Sequence, residues 1–191
     1  VLNWCRQLLR SLGSCAVQRS HRRKFETARG PAAERLESRA LLSAVSFTSE
    51  SLTTTADGAF DVTAADIDSD GIPDLLVASS LDNSIRWYRG NGGGSFTAQV
   101  VDSAVLGAKS TRGHDLDGDG DCDILAASSD DDTIAWYEND GQQNFTRHVI
   151  SDLADYAIAV DAADINGDGH LDVVSASTWD DTLRWYRNDG L

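Results

Sequence analysis

The chain has 191 residues, a formal net charge of −15, no methionine and three cysteines. That length suits one domain, or one domain plus a tail, and no uncharged run approaches the roughly 20 residues that a bilayer-spanning helix needs, so a multi-span membrane protein is excluded. Residues 1–45 carry nine Lys/Arg against three Glu, a net of +6, while the remainder nets −21; an acidic body of that kind repels phosphate backbones, excludes nucleic acid as the expected partner, and invites cations.

First in chain order, residues 1–45 read as a basic, non-globular N-terminal targeting segment. Val1–Leu12 has the pattern of a short amphipathic helix, and Gln18–Arg29 is too charged for the apolar core of a signal peptide. The stretch Ala33-Glu34-Arg35-Leu36-Glu37-Ser38-Arg39-Ala40-Leu41-Leu42-Ser43-Ala44 resembles the LEPR-XLL sorting segment of some large exported bacterial proteins, with Ser38 where that pattern has proline. The resemblance implies export and loss of the segment from the mature protein. A disordered basic arm is the other reading. An RNA-binding arm is disfavoured because only Phe25 interleaves with the charges of Gln18–Arg39. Position 1 is Val, so the start is expected to be an alternative codon or an incomplete N-terminus. Cys5 and Cys15 fall in this segment, and Cys122, alone in the body, has no partner there for an internal disulfide.

From Phe47 onward the chain repeats. Trp-Tyr occurs at Trp87-Tyr88, Trp136-Tyr137 and Trp185-Tyr186, at 49-residue spacing; acidic clusters begin at Asp66, Asp115 and Asp164; and Phe-Thr recurs at Phe47, Phe96 and Phe145 in the same register. The units run 47–95, 96–144 and 145–191. Each predicts four strands: one at the Phe-Thr, a weaker one before the acidic cluster (Ala157–Ala163 in the third unit), an apolar one (Leu75–Ser79, Ile124–Ser128, Val173–Ser177) and an aromatic one (Ile85–Arg89, Ile134–Glu138, Leu183–Arg187). The apolar runs lack polar alternation, as in strands covered on both faces. Four strands at a period in the forties is the signature of a propeller blade. The fold class is therefore all-β, a partial β-propeller of about three four-stranded blades spanning 46–191. A linear array of separate modules is the lesser alternative, since a lone four-stranded sheet has two faces to cover. The third unit stops before its next Phe-Thr, so the chain is expected to end inside a repeat, with further blades of a longer chain as neighbours.

The clusters are Asp66-Ile67-Asp68-Ser69-Asp70-Gly71-Ile72-Pro73-Asp74, Asp115-Leu116-Asp117-Gly118-Asp119-Gly120-Asp121-Cys122-Asp123 and Asp164-Ile165-Asn166-Gly167-Asp168-Gly169-His170-Leu171-Asp172. Oxygen side chains stand at positions 1, 3, 5 and 9, and glycine at position 6. Calcium takes six to eight oxygen ligands, and the glycine permits a sharp turn around an ion. The expected ligands are Asp66, Asp68, Asp70 and Asp74; Asp115, Asp117, Asp119 and Asp123; and Asp164, Asn166, Asp168 and Asp172. The backbone carbonyls of Ile72, Asp121 and His170 would serve at position 7. Cys122, at position 8, is expected to be a packed hydrophobe. An EF-hand is excluded, because position 12 is Val77, Ala126 or Ser175 rather than Glu, and a strand follows instead of a helix.

These loops, the apolar strands after them, and Trp136-Tyr137-Glu138-Asn139-Asp140-Gly141 with Asn144-Phe145-Thr146 make residues 47–191 resemble the FG-GAP-like (VCBS-type) repeats, related to integrin alpha-chain propeller blades. The resemblance implies calcium loops joining the first two strands of each blade, about one Ca2+ per loop, and an extracellular or cell-surface setting.

Catalysis is not expected. His114, His148 and His170 fall in no Ser/His/Asp or metal-hydrolase spacing, and no glycine-rich phosphate loop is present. Trp179, at the turn before the last strand, either covers a blade edge or stacks on a sugar. The functional expectation is a calcium-binding module of an exported protein that binds an extracellular protein or glycan; the alternative is a non-binding spacer or accessory domain of a larger exported enzyme.

Overall fold

The computed structural model describes residues 46–190, so the expectations for residues 1–45 lie outside the described residues. The chain divides between Phe47 and Thr48 into two units, the second of which holds every described strand. Among the described residues eleven strands form three antiparallel sheets. The first contains β1 (Ala59–Ala65), β2 (Asp74–Ser79), β3 (Ser84–Gly90) and β4 (Phe96–Asp102) in sequence order. The second contains β5 (Ala108–His114), β6 (Asp123–Ser128), β7 (Thr133–Asn139) and β8 (Phe145–Ser151); the third contains β9 (Ala157–Ala163), β10 (Asp172–Ser177) and β11 (Thr182–Tyr186). Among the described residues no helix is long and apolar enough to cross a membrane.

These are three meandering propeller blades. β1 lies against β5, and β5 against β9, so the first strand of each blade is innermost. The strand expected at Phe47 does not form, since residues 46–53 lie in no sheet; the other expected strands are present, but the sheets set the phase of the repeat. Sequence periodicity has no natural starting point, and counting from Phe47 puts the Phe96 strand at the head of the second unit. Hydrogen bonding puts it last in the first blade, where Trp87 stands opposite Gln99 and Gly90 opposite Phe96. The acidic clusters then fall between the first two strands of each blade, as the resemblance implies.

Alternation along the strands gives every blade two unlike faces. One carries the Trp of Trp-Tyr; the other carries the Tyr. The Trp face of the first blade (Leu76, Ala78, Ile85, Trp87) packs on the Tyr face of the second (Ile124, Ala126, Ala135, Tyr137). The other face of the second blade (Leu125, Ala127, Ile134, with Trp136 at its margin) packs on Val160, Val173 and Tyr186 of the third. The sandwiched middle blade therefore has a β6 buried at every residue, which is why its sequence shows no polar alternation. Phe145 reaches back to Trp87, ring centroids 6.3 Å apart and edge-on. Gly113 keeps the inner strands close: a Cβ there would lie 2.7 Å from that of Ala65.

The turns between the second and third strands lock successive blades. Asn83 and Asp132 adopt positive φ (54° and 57°), a conformation that Asn and Asp tolerate better than most residues. The Asn83 carbonyl accepts from Val105 N–H and its side-chain Oδ1 from Gly107 N–H; Asp132 accepts from Ala154 and Tyr156 in the same way.

Ile85 and Leu183 occupy the same repeat position on β3 and β11, yet Ile85 is fully buried and Leu183 is 68% exposed. Ile85→Ala is expected to cost about 2–5 kcal/mol, the range for aliphatic deletions in a packed core. Leu183→Ala should stay within about 0.5 kcal/mol, as for ordinary surface positions. Urea denaturation of the two variants checks the contrast.

Candidate metal centres

Each acidic loop is built around its ninth residue. Asp74, Asp123 and Asp172 begin β2, β6 and β10 and are fully buried. In each, one carboxylate oxygen accepts from the backbone N–H of loop position 2 (Ile67, Leu116, Ile165) at 2.9, 2.9 and 3.3 Å. The other oxygen accepts from the residue sixteen positions on (Gly90, Asn139, Asn188) at 2.7, 2.8 and 2.8 Å. The ninth aspartate thus ties its own loop to the far end of the blade's third strand. Burial pushes the Asp123 carboxyl up to about 6, against the lowering effect of the Asn139 and Leu116 amides. A carboxylate oxygen with one amide bond keeps a further lone pair, so a place among metal ligands is still open to these residues.

Position 1 organises the turn. Asp66 accepts from the N–H groups of Asp70 and Gly71, Asp115 from Gly118 and Gly120, and Asp164 from Gly167, Asp168 and Gly169. Position 5 repeats this on a smaller scale: Asp70, Asp119 and Asp168 accept from Ile72, Asp121 and His170 N–H. The amides pull the side chains into one space. Carboxylate oxygens of Asp66, Asp68 and Asp74 lie within 4.8 Å of one another, as do those of Asp115, Asp117 and Asp119. Asp68 Oδ1 is buried with no hydrogen-bond partner. An orphaned acceptor in a ring of hard oxygen donors fits a hard divalent cation. Asn166 replaces Asp at position 3 of the third loop and donates to Asp168 at 2.7 Å.

The loops differ in charge, through residues the motif does not contain. Arg89, at the end of β3, reaches into the first loop, with its Nε 2.5 Å from Asp68 and its Nη2 3.2 Å from Asp70. The equivalent residue in the second blade is Glu138, whose charge joins burial and the neighbouring aspartates in raising the Asp117 carboxyl. In the third blade it is Arg187, 3.9 Å from Asp168 and paired more closely with Asp189. Among the described residues the first and third loops therefore have a guanidinium beside them, and the second, with five aspartates, has none. The 49-residue alignment of Arg89, Glu138 and Arg187 is the sequence signal for this difference.

Adjacent loops are also joined. Asn139 Nδ2 donates to Ile67 O of the first loop and Cys122 O of the second, both at 3.1 Å. Asn188 repeats the link between Leu116 O and Leu171 O. Gly90 occupies this position in the first blade, where a Cβ would lie 2.5 Å from Pro73 O. Cys122 packs against the first core cluster, and burial pushes its thiol up to about 12, as for an inert packed side chain. His114 pairs with Asp161 at 3.0 Å; His148 pairs with Glu138 at 2.7 Å and stacks on Trp136.

Away from the loops, Trp179 stacks on Tyr156 with ring centroids 4.7 Å apart, and Lys109 lies over the Phe60 and Tyr156 rings at 4.4 and 5.7 Å. Trp179 is 71% exposed. It follows β10, while the acidic loops precede β2, β6 and β10, so this aromatic group stands at the opposite end of the blades.

A family described as FG-GAP-like repeat matches residues 66–112 and 115–175. The chain is similar in fold to the solved structure of an Agrocybe aegerita lectin, described as specifically recognising non-reducing terminal N-acetylglucosamine. The TM-score is 0.51 at 18% sequence identity, and the match covers 70% of this chain but only 36% of the lectin. No curated protein matches.

The geometry separates two roles within one loop. Asp123→Ala strands two backbone donors and should destabilise the protein by more than about 2 kcal/mol even in chelator. Asp119→Ala, in the exposed turn, should cost less than about 1 kcal/mol under the same conditions. Denaturant melts of both variants in EDTA check this.

Proposed function

The chain belongs to the FG-GAP-like repeat family, and on that premise we propose that it is a calcium-stabilised propeller module of an exported protein, acting outside the cell by binding a glycan or protein. The observation that carries the calcium reading is the convergence of Asp115, Asp117 and Asp119 in a loop that, among the described residues, pairs with no Lys or Arg. Asp121 and Asp123 add to the negative charge there. A bound Ca2+ supplies neutralisation: close carboxylate pairs repel by on the order of 1–4 kcal/mol each, depending on the local dielectric. The chain's residues do the rest: the turn amides aim the carboxylates, and the ninth aspartate fixes the loop to the blade.

The loops are not equal on this reading. The second binds most tightly. In the first, Arg89 competes for Asp68 and Asp70; the third has the neutral Asn166 and a more distant Arg187. The binding reading rests on the rim of Phe60, Lys109, Tyr156 and Trp179, where exposed aromatic rings suit the apolar face of a sugar. No catalytic role falls to the three histidines of the repeats: His114 and His148 are held by acidic partners, and His170 lies within an acidic loop.

Calcium titration of the full chain by calorimetry should show one site tighter than the others, in or below the 10⁻⁴–10⁻³ M range of extracellular modules. Asp119→Ala should remove it, and Arg89→Gln should tighten a second site. No heat up to millimolar calcium would end the calcium reading. Because an ion bound only by the folded chain stabilises by mass action, the melting temperature should fall on adding EDTA.

Binding is checked on a glycan array with the calcium-loaded chain. The expected result is signal for a defined glycan class that Trp179→Ala removes. Equal signal from the variant would take the rim out of the account.

A further inference from the structure

At the aromatic end of the blades three departures from the repeat meet in one place. Gly58, Gly107 and Tyr156 share one repeat position, just before the innermost strand of each blade. All three adopt positive φ, at 68°, 64° and 55°. Glycine takes that conformation freely, whereas a bulky aromatic residue there is strained. The fold does not demand the exchange. The carbonyls of Gly58, Gly107 and Tyr156 accept from the N–H groups of Ser80, Ser129 and Thr178 in the same way in every blade. Residues held in such strained conformations gather at ligand-binding sites.

The second departure answers the first. Leu81, Asp130 and Trp179 are equivalent. In the first two blades they fill the room above the glycine: a Cβ on Gly58 would lie 2.5 Å from Leu81 Cγ, and one on Gly107 2.6 Å from Asp130 Cγ. In the third blade Trp179 stacks on Tyr156 instead, with 15° between the ring planes. Its exposure belongs to the position. Leu81 and Asp130 are exposed too, although another blade packs against each of theirs. The third departure supplies charge. Phe60, Lys109 and Ile158 are the second residues of β1, β5 and β9. The Lys109 ammonium lies against the Phe60 and Tyr156 rings, a cation–π arrangement. Among the described residues every arginine pairs with an aspartate, whereas Lys109 enters no ion pair. Its charge is therefore left for a ligand. The ammonium and the Trp179 ring are no more than about 10 Å apart, within the span of two linked sugar rings.

We propose, resting on the glycan reading above, that the rim binds a glycan in which one sugar carries a carboxylate, as hexuronates and sialates do. A neutral ring lies on the open face of Trp179, and the carboxylate of the adjoining sugar pairs with Lys109. The ammonium has three donors and a compact charge for that contact. The ligand carries its charge at one sugar only. Asp57, Asp130, Asp132 and Asp155 stand at the same end of the blades, so a row of anionic sugars would be repelled. A single carboxylate in contact with Lys109 is attracted at short range, while charges farther off than about 8–10 Å are screened by physiological salt. The three departures thus have one use: Tyr156 raises the platform, Trp179 presents it, and Lys109 selects by charge.

Calorimetry on the full chain with two matched pairs of probes tests this: cellobiouronic acid against cellobiose, and 3′-sialyllactose against lactose. In at least one pair the acidic member should bind about five- to tenfold tighter, the worth of one charge-assisted contact at a half-buried site; the pair that does so tells hexuronate from sialate. Lys109→Met keeps the apolar stem and should abolish that preference while leaving the neutral sugar's affinity unchanged. Lys109→Arg should retain the preference. Trp179→Ala should weaken both members of the pair. If Lys109 only propped up Tyr156, the Met variant would weaken both members alike, which would overturn the proposal. So would equal affinity for acidic and neutral members, or a preference that survives in Lys109→Met. Binding of none of the four sugars would overturn it as well, whereas an array signal for neutral glycans that Trp179→Ala removes would leave the broader glycan reading standing.

Discussion

The buried carboxylate at position 9 of each loop is the interaction on which the rest of the structure depends. Asp74, Asp123 and Asp172 enter the protein interior at the first residue of a strand and accept two backbone hydrogen bonds each. A buried carboxylate is costly unless well satisfied, so its presence fixes three things together. The loop must return to its own start, the second strand must begin there, and the third strand must end within reach. The spacing of eight residues back to the loop start and sixteen on to the strand end then recurs wherever the loop recurs.

Blade stacking adds the second layer of order. Alternation on a strand gives a Trp face and a Tyr face, and each covers the next. Asn139 and Asn188 join neighbouring loops at one end, and Asn83 and Asp132 join turn to linker at the other. Both ends of a blade are thereby fixed relative to its neighbour. The acidic loops consequently share one end of the stack, while the aromatic rim of Phe60, Tyr156 and Trp179 occupies the opposite end. On the proposed reading, ion binding and ligand binding would not compete for the same surface.

Much of this was legible in the sequence because the repeat supplies three readings of every position. The apolar runs at Leu75, Ile124 and Val173 marked the second strands, and the weak Ala157–Ala163 stretch proved to be β9 itself. The phase of the blade was not legible: Phe96 can open one unit or close another, and only the pairing of β3 with β4 decides. The double amide role of Asp123 was hidden as well. A carboxylate that accepts backbone hydrogen bonds and one that binds a cation look alike in a motif. The inequality of the loops was within reach, because Arg89, Glu138 and Arg187 align at 49-residue spacing, but their chemistry becomes clear only when Arg89 is seen bridging Asp68 and Asp70.

The central claim is that the loops are preorganised by backbone amides and that the second, lacking an internal cation, is the foremost ion site. A crystal structure grown in calcium, with anomalous scattering recorded near the calcium signal, tests it directly. The account predicts the strongest anomalous peak inside Asp115–Asp123, with Asp123 still accepting from Leu116 and Asn139. Absence of a peak there, or a peak confined to the first loop beside Arg89, would contradict it.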